Sequence, residues 1–329
     1  MLAAFPRLPE CLASPYCRQR MLEIAGPIPT GAISKYGFEA WLGKEGGRSD
    51  FLYKIGPSLD QVRAWLDAAS GKGSQASAES VASQLCADWL ANRDGLQDII
   101  TDLWLEHDAE PGREGPGIPD GNFIGLKEDA LQKNFSPVCD LLLPRLLPAG
   151  APEGLKRCLK GLAESLPSAH IFHIGTLPQR AAHFLRVCVT EVKMEWWAEY
   201  LGSHFPQRRH ELRDALQTLQ SLSNFIVVDL DLWEAISPRL GFECYIWDWS
   251  REHAQKWPVL FAALIEMGLM TSEQADALRQ WPGYSLEESR ELDEKLVDVR
   301  RLHHVKMTWD GEFKRAKAYF GVEKLPRTH

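Results

Sequence analysis

Basic side chains recur in this sequence at positions where short apolar runs leave one face free. Phe51-Leu52-Tyr53-Lys54-Ile55 carries Lys54, Ile124-Gly125-Leu126-Lys127 ends on Lys127, and Leu185-Arg186-Val187-Cys188-Val189 holds Arg186 and Cys188 between branched residues. Val305-Lys306-Met307 and Ala316-Lys317-Ala318-Tyr319-Phe320 repeat the pattern for Lys306, Lys317 and Tyr319. Successive strand residues point to opposite faces, so the apolar set that packs under a covering layer assigns the other set to the opposite side. By the same alternation Leu103 and Leu105 leave Trp104, Glu106 and Asp108 inside, Phe242, Cys244 and Ile246 leave Glu243, Tyr245 and Trp247, and Phe38 and Ala40 leave Glu39 and Trp41.

Basic, acidic and aromatic groups then share one interior. An isolated charge in a low-dielectric interior costs several kcal/mol unless it is paired or solvated. The interior is therefore either laced with ion pairs to Glu39, Glu106 or Glu243, or it is a wet cavity that takes a charged ligand. Fixed cations suit an anion. Glu106, in Trp104-Leu105-Glu106-His107-Asp108, Glu39 and His173 are lumenal side chains that can exchange a proton.

Metal and nucleotide chemistry find no support. His303 and His304 are adjacent and His170 and His173 lie three apart, so on a regular strand each pair splits across the two faces. There is no D-D-x-x-D run, no G-x-x-x-x-G-K-[ST] loop, no G-x-G-x-x-G and no H-E-x-x-H. We expect no metal site and no required cofactor.

The elements that must position these residues read as a recurring order. Cys11–Ala25 reads as a helix closed by Gly26-Pro27-Ile28-Pro29. Strands Tyr36–Leu42 and Phe51–Ile55 precede helices Leu59–Ala69 and Ser77–Asn92. Strands Asp102–Glu106 and Asn122–Lys127, around the loop Ala109–Asp120, precede helices Pro137–Leu147 and Glu153–Leu166. Strands His170–Leu177 and Phe184–Val192 precede helices Trp196–His204 and Arg209–Leu222. Strands Phe225–Asp231 and Gly241–Asp248 precede helices Trp257–Gly268 and Ser272–Trp281, with a third helix at Leu286–Val297. A last hairpin, His304–Trp309 and Lys314–Gly321, turns at Asp310-Gly311.

This predicts an α+β chain: a closed antiparallel β-barrel of about ten strands in five hairpins, surrounded by helix pairs, with a polar lumen. Residues 1–35 form a helical lead-in, 36–322 one barrel domain and 323–329 a C-terminal tail. The competing layout is two α+β domains divided near Pro148–Gly154.

At 329 residues with 45% hydrophobic and 25% charged side chains, the composition is globular. A net charge of -8 disfavours a nucleic-acid partner, which needs a basic surface. No run reaches the roughly 18 apolar residues of a membrane span, and Pro and Arg interrupt the start where a secretory leader would be apolar. The 7 cysteines are scattered without C-x-x-C spacing and read as reduced. We expect a cytoplasmic protein with no membrane partner.

Hairpins alternating with helix pairs around a basic and aromatic lumen resemble the aromatic prenyltransferase barrel, the α-β-β-α or PT-barrel superfamily. The resemblance runs from about Tyr36 to Val322, in element order. That family carries Lys or Arg followed two residues later by Tyr on its even strands, which Lys317-Ala318-Tyr319 matches, and Lys54, Lys127 and Arg186 fall on the second, fourth and sixth strands. Lys127 and Arg186 are followed at that spacing by Asp129 and Cys188, and the eighth strand offers Glu243-x-Tyr245. The resemblance implies an allylic diphosphate co-substrate held by Lys54, Lys127, Arg186, Lys306, Lys317 and Tyr319, and an aromatic or peptide acceptor. Trp41, Trp104, Tyr245, Trp247 and Glu243 would then shield the allylic cation or bind the acceptor. Two alternatives stay open: acid–base isomerisation or epimerisation by Glu106, Asp108, His173, Cys188, Asp229 and Glu243, and a non-catalytic protein that captures a ligand in its lumen.

Overall fold

The computed structural model describes residues 5, 7–69, 80–109, 119–128, 130–133, 135–147, 150–166, 170–178, 184–246, 255–288 and 295–326. Strands β1 (Ile33–Trp41), β2 (Ser49–Ile55), β3 (Ile100–His107), β4 (Gly121–Leu126), β5 (His170–Thr176), β6 (Leu185–Thr190), β7 (Phe225–Leu232) and β8 (Ile236–Tyr245) pair each with the next, antiparallel. β9 (Gly283–Glu288), β10 (Lys295–Trp309) and β11 (Phe313–Pro326) complete the sheet. β10 pairs with β8 and β11, and β11 pairs with β1, so ten strands close into a barrel with β9 added outside it on β10. The expected five hairpins are β1–β2, β3–β4, β5–β6, β7–β8 and β10–β11. Closure satisfies each strand's backbone donors and acceptors without leaving a barrel edge.

Helices cover the outer face. They include α1 (Pro15–Ala25), α2 (Leu59–Ala69), α3 (Val81–Leu90), α4 (Glu153–Ser165), α5 (Met194–His204), α6 (Arg209–Leu222), α7 (Lys256–Glu266) and α8 (Ser272–Gln280). Their sequences explain their ends and faces. Ser14 and Ser80 cap α1 and α3 through their hydroxyls, and Thr271 with Gln274 forms a capping box on α8. α4 buries Leu155, Leu159 and Leu162, and α6 buries Leu212, Leu216 and Leu219, each at helical spacing. The outward strand residues, among them Phe38, Phe51, Ile55, Leu105, Val187, Phe242, Met307 and Phe320, are all at most 1% exposed and share one apolar cluster with these stripes. The core is thus a ring between barrel and helices, and the lumen is a separate interior.

Three elements depart from the expectation. Leu286–Val297 is not a helix: its described residues belong to β9 and β10, in register Leu286↔Val297 and Glu288↔Lys295. The apolar spacing there fits a helical period, but cross-strand pairing of β9 with β10 and of β10 with β11 (Val297↔Leu325) decides the outcome. The predicted helix Pro137–Leu147 is broken into a π-helical stretch, Val138–Leu142, and one turn, Leu143–Leu146. Pro144 lacks the N–H that would bond back to Asp140, so the α ladder cannot continue through it. The last strand runs on to Pro326. Among the described residues no helix is long and apolar enough to cross a membrane, and all seven cysteines are unpaired.

Candidate active site in the barrel lumen

Alternation along each strand delivers the lumenal set. β1 turns in Lys35, Gly37, Glu39 and Trp41, β3 turns in Trp104 and Glu106, and β6 turns in Arg186 and Cys188. Glu243 and Tyr245 come from β8, Lys306 from β10, and Lys317 and Tyr319 from β11. Gly37 and Gly321 face each other across β1 and β11. A Cβ on Gly321 would lie 2.4 Å from the Tyr36 carbonyl oxygen, so the bare backbone lets these two strands meet.

Two adjoining cavities lie in the lumen. The one at the hairpin-turn end has a volume of about 400 Å³ and is lined by six basic side chains, Arg48, Arg186, Arg239, Lys306, Arg315 and Lys317, against four acidic ones, Glu39, Asp108, Asp229 and Asp231. The other, toward the helix-connected end, has a volume of about 180 Å³ and is lined by Trp104, Phe123, Tyr245, His173, His303, His304 and Glu106 among others. Arg186, Lys306 and Tyr319 line both, and mark the boundary.

Carboxylates hold the lumenal cations in place. Lys317 and Tyr319 both donate to Glu39, one to each carboxylate oxygen. Lys306 pairs with Asp229 and lies 3.6 Å from Glu243. Arg186 makes a bidentate pair with Asp231 at 2.8 and 3.0 Å. Lys54 pairs with Asp102 at 3.0 Å, and His173 Nε2 is 3.6 Å from the other oxygen of Asp102. Burial alone would raise Asp102, but the nearby His173 ring and the Lys54 charge bring it down to about 2. Burial works against the Lys306 ammonium and the Arg186 guanidinium as well. The nearby acids together outweigh it, Asp229 with Glu243 for Lys306 and Asp231 with Asp229 for Arg186, and push both above their usual values.

Acids crowd the middle. Carboxylate oxygens of Glu39, Asp50 and Glu106, all buried, lie within 4.8 Å of one another. Desolvation first, then the charges of Glu39, Asp108 and Glu106, push Asp50 up to about 8 against the pull of Lys317. Asp50 accepts hydrogen bonds from Trp41 Nε1 at 3.2 Å and the Ala109 amide at 3.3 Å. A proton on Asp50 and the Lys317 ammonium thus supply positive charge to this cluster. Burial also raises Asp229, with Glu243 adding to the effect and Lys306 and Arg186 opposing it. Glu243 is held by the Tyr245 hydroxyl at 3.1 Å, and His304 Nε2 lies 3.6 Å from it. His304 is stacked between Tyr319 and Tyr245, with centroids at 4.2 and 4.4 Å, and burial takes it down to about 3, so the ring is neutral.

The structure brings together Glu39, Trp41, Arg186, Lys306, Lys317 and Tyr319 at the hairpin end, and Trp104, Glu106, His173, Glu243 and Tyr245 at the other. Lys54 lines neither cavity and is spent on Asp102. Lys127 is exposed: β4 ends at Leu126, and the Lys127 amide bonds to Ile99 as the chain turns outward. Trp247 lies outside the described residues, as do 110–118 of the loop Ala109–Asp120. The rule that adjacent residues face opposite ways fails at His303 and His304, because a bulge between Leu302 and His304 turns both toward the helix-end cavity.

Sequence reasoning passed over Lys35, Asp50, Asp231 and the rim arginines Arg48, Arg239 and Arg315. Asp231 was legible in Val227-Val228-Asp229-Leu230-Asp231-Leu232, where alternation places both acids on one face. The others sit at or beyond the predicted strand ends.

No family model and no curated protein matches the chain. Solved structures do. The prenyltransferase PriB, in a ternary complex with L-tryptophan and dimethylallyl thiolodiphosphate, is 12% identical with a TM-score of 0.54, over 98% of this chain and 94% of that one. AnaPT from Neosartorya fischeri is 13% identical with a TM-score of 0.48, over 88% and 77%. The chain shares the fold of PriB over nearly its whole length.

Proposed function

We propose that the chain transfers an allylic group, dimethylallyl or longer, from its diphosphate to an aromatic or peptide acceptor inside the lumen, with no metal ion required. The observation that carries this reading is the division of the lumen: six basic groups around one cavity, an aromatic cavity beyond it, and Arg186, Lys306 and Tyr319 where they meet. A diphosphate placed at the hairpin end faces Lys306, Arg186 and Lys317, which stabilise the charge that grows as the carbon–oxygen bond breaks. The allyl group then lies at the boundary, where the faces of Tyr319, Tyr245 and Trp104 shield its cation. An electron-rich acceptor in the aromatic cavity attacks the allylic carbon, forming the new bond, and its proton passes to Glu106 while diphosphate departs.

The acidic side chains are compatible with an anionic donor. Asp229, raised by burial, can take a proton as negative charge arrives, and Glu39 is neutralised by Lys317 and Tyr319. The unpaired cysteines support a reducing, cytoplasmic setting.

The test is a thermal-shift titration with dimethylallyl and geranyl thiolodiphosphates, without magnesium, on wild type and Lys317→Ala. A ligand at 100 times its Kd stabilises by about 2.7 kcal/mol. A shift in wild type that is lost in the variant supports the donor site, and no shift with either compound overturns it. The second reading, acid–base isomerisation or epimerisation, draws on Asp50, an acid pushed up to about 8 beside Glu39 and Glu106. It is favoured if both diphosphates fail.

A further inference from the structure

Lys35 stands apart from the ion pairs of the lumen. It lies on β1 toward the helix-connected end, in register with Lys54 of β2 and Glu323 of β11, and lines the aromatic cavity. Lys54, Arg186, Lys306 and Lys317 each have a carboxylate within ion-pair distance. Among the described residues none comes that close to Lys35, whose polar neighbour is His303 Nδ1 at 3.5 Å. An ammonium can only donate, so Nδ1 accepts and the ring proton sits on Nε2. His303 Nε2 is buried and has no hydrogen-bond partner. On this wall of the cavity, then, an ammonium has no carboxylate within 4 Å among the described residues, and its neighbour His303 has a buried Nε2 without a hydrogen-bond partner.

Both groups carry the mark of that arrangement. Burial lowers the Lys35 ammonium, with Glu323 opposing and Lys54 and Arg301 adding to the effect. Burial likewise takes His303 well below its usual range, helped by Lys35, His304 and Arg301. An anion in the cavity would relieve both, since it supplies the missing charge and the missing acceptor.

We infer that Lys35 and His303 form an anion subsite at the helix end of the lumen, and that it takes the carboxylate of the acceptor. The inference rests on the reading that places the diphosphate at the hairpin end. A diphosphate needs several cations at once, and those converge across the Arg186–Lys306–Tyr319 boundary. The cavity beside Lys35 holds about 180 Å³ and has Trp104, Phe123 and Tyr245 in its wall. That is room for one aromatic body with a small charged head. A carboxylate against Lys35 would direct the ring toward Glu106 and the boundary, which makes Lys35 a determinant of both acceptor choice and orientation.

The experiment measures binding by calorimetry with indole-3-propionate, with its uncharged isostere indole-3-propionamide, and with dimethylallyl thiolodiphosphate. Wild type should prefer the acid over the amide at least tenfold. Lys35→Met, which keeps the apolar stem, should abolish that preference and leave amide and thiolodiphosphate affinities unchanged, and His303→Gln should reduce it in part. Equal affinities for acid and amide in wild type, no binding of the acid at millimolar concentration, or a preference that survives in Lys35→Met would overturn the inference. So would loss of thiolodiphosphate binding in Lys35→Met, because the anion held there would then be the donor's. If the acid preference behaves as expected while thiolodiphosphate binds nowhere, the subsite stands and the prenyl-transfer reading falls.

Discussion

Replacing Lys306 by methionine removes the one ammonium that serves two buried carboxylates. Lys306 has a side-chain exposure of 12%, Asp229 of 2% and Glu243 of 11%, so water cannot substitute for the lost charge. Glu243 keeps the Tyr245 hydroxyl, but Asp229 loses its closest cation. Breaking a buried pair by removing one partner costs roughly 3–5 kcal/mol, so Lys306→Met is expected to lose about that much stability at pH 7.5. Acidification should return part of it. Burial already raises Asp229 above the usual carboxylate range, and loss of Lys306 raises it further. In the window between the unfolded and folded values the folded state binds more protons, so stability falls as pH rises and recovers as pH falls. The maximum slope for one group is about 1.4 kcal/mol per pH unit, so going from pH 7.5 to 5.5 should restore up to about 2.7 kcal/mol. Urea unfolding followed by the fluorescence of the 12 tryptophans measures both effects, and Asp229→Asn in the same chain should relieve most of the penalty. A loss below about 1 kcal/mol that does not change with pH would refute the reasoning, since it would mean that these charges are solvated.

Glu106→Gln should lower turnover by roughly 10²–10⁴ with dimethylallyl diphosphate and a working acceptor, while thiolodiphosphate binding stays as in wild type, and unchanged turnover would remove Glu106 as the base. Gly241→Ala puts a Cβ 2.9 Å from Asp229 Oδ2 and 3.1 Å from Lys306 Cε, so it should displace that pair and weaken thiolodiphosphate affinity in calorimetry. Phe51→Ala empties a fully buried site that packs on Phe5, Tyr36, Phe38 and Tyr53, and should cost about 3–5 kcal/mol in urea unfolding without altering donor affinity in the folded protein.

Much of the barrel was legible because alternation is local. Phe51, Tyr53 and Ile55 face one way and Lys54 the other whatever the rest of the chain does, and the same holds for Arg186, Lys306, Lys317 and Tyr319. A strand's two faces are set by the pleat, and the apolar face must find cover, so the inner set follows from the outer one. Helix positions were equally local, set by the apolar stripe in α6 and by the capping box in α8. The errors lie where a local rule met a long-range competitor. Leu286–Val297 has apolar residues at a spacing that either period tolerates, and the pairing of β9 with β10 and of β10 with β11 chose the extended form. His303 joined His304 in the lumen because a bulge, which depends on the register between β10 and β11, inserted a residue.

Which charges meet was beyond the sequence. Asp102, Asp229 and Asp231 pair with Lys54, Lys306 and Arg186 from strands up to 77 residues away, as for Asp229 and Lys306, and nothing in either run names its partner. Barrel closure decided that Lys317 is held by Glu39, since β11 pairs with β1 in the register Glu39↔Tyr319 and Trp41↔Lys317. Lys127 shows the same limit from the other side, because a strand that stops one residue early turns an inward side chain out to solvent. The amino-acid sequence by itself determined the alternating strands, the apolar cover they require and the stock of inward charges. The tertiary structure alone decided how those charges neutralise one another and which are left for a ligand. Side-chain direction depends on a residue's own backbone, whereas an electrostatic environment depends on every strand that shares the lumen.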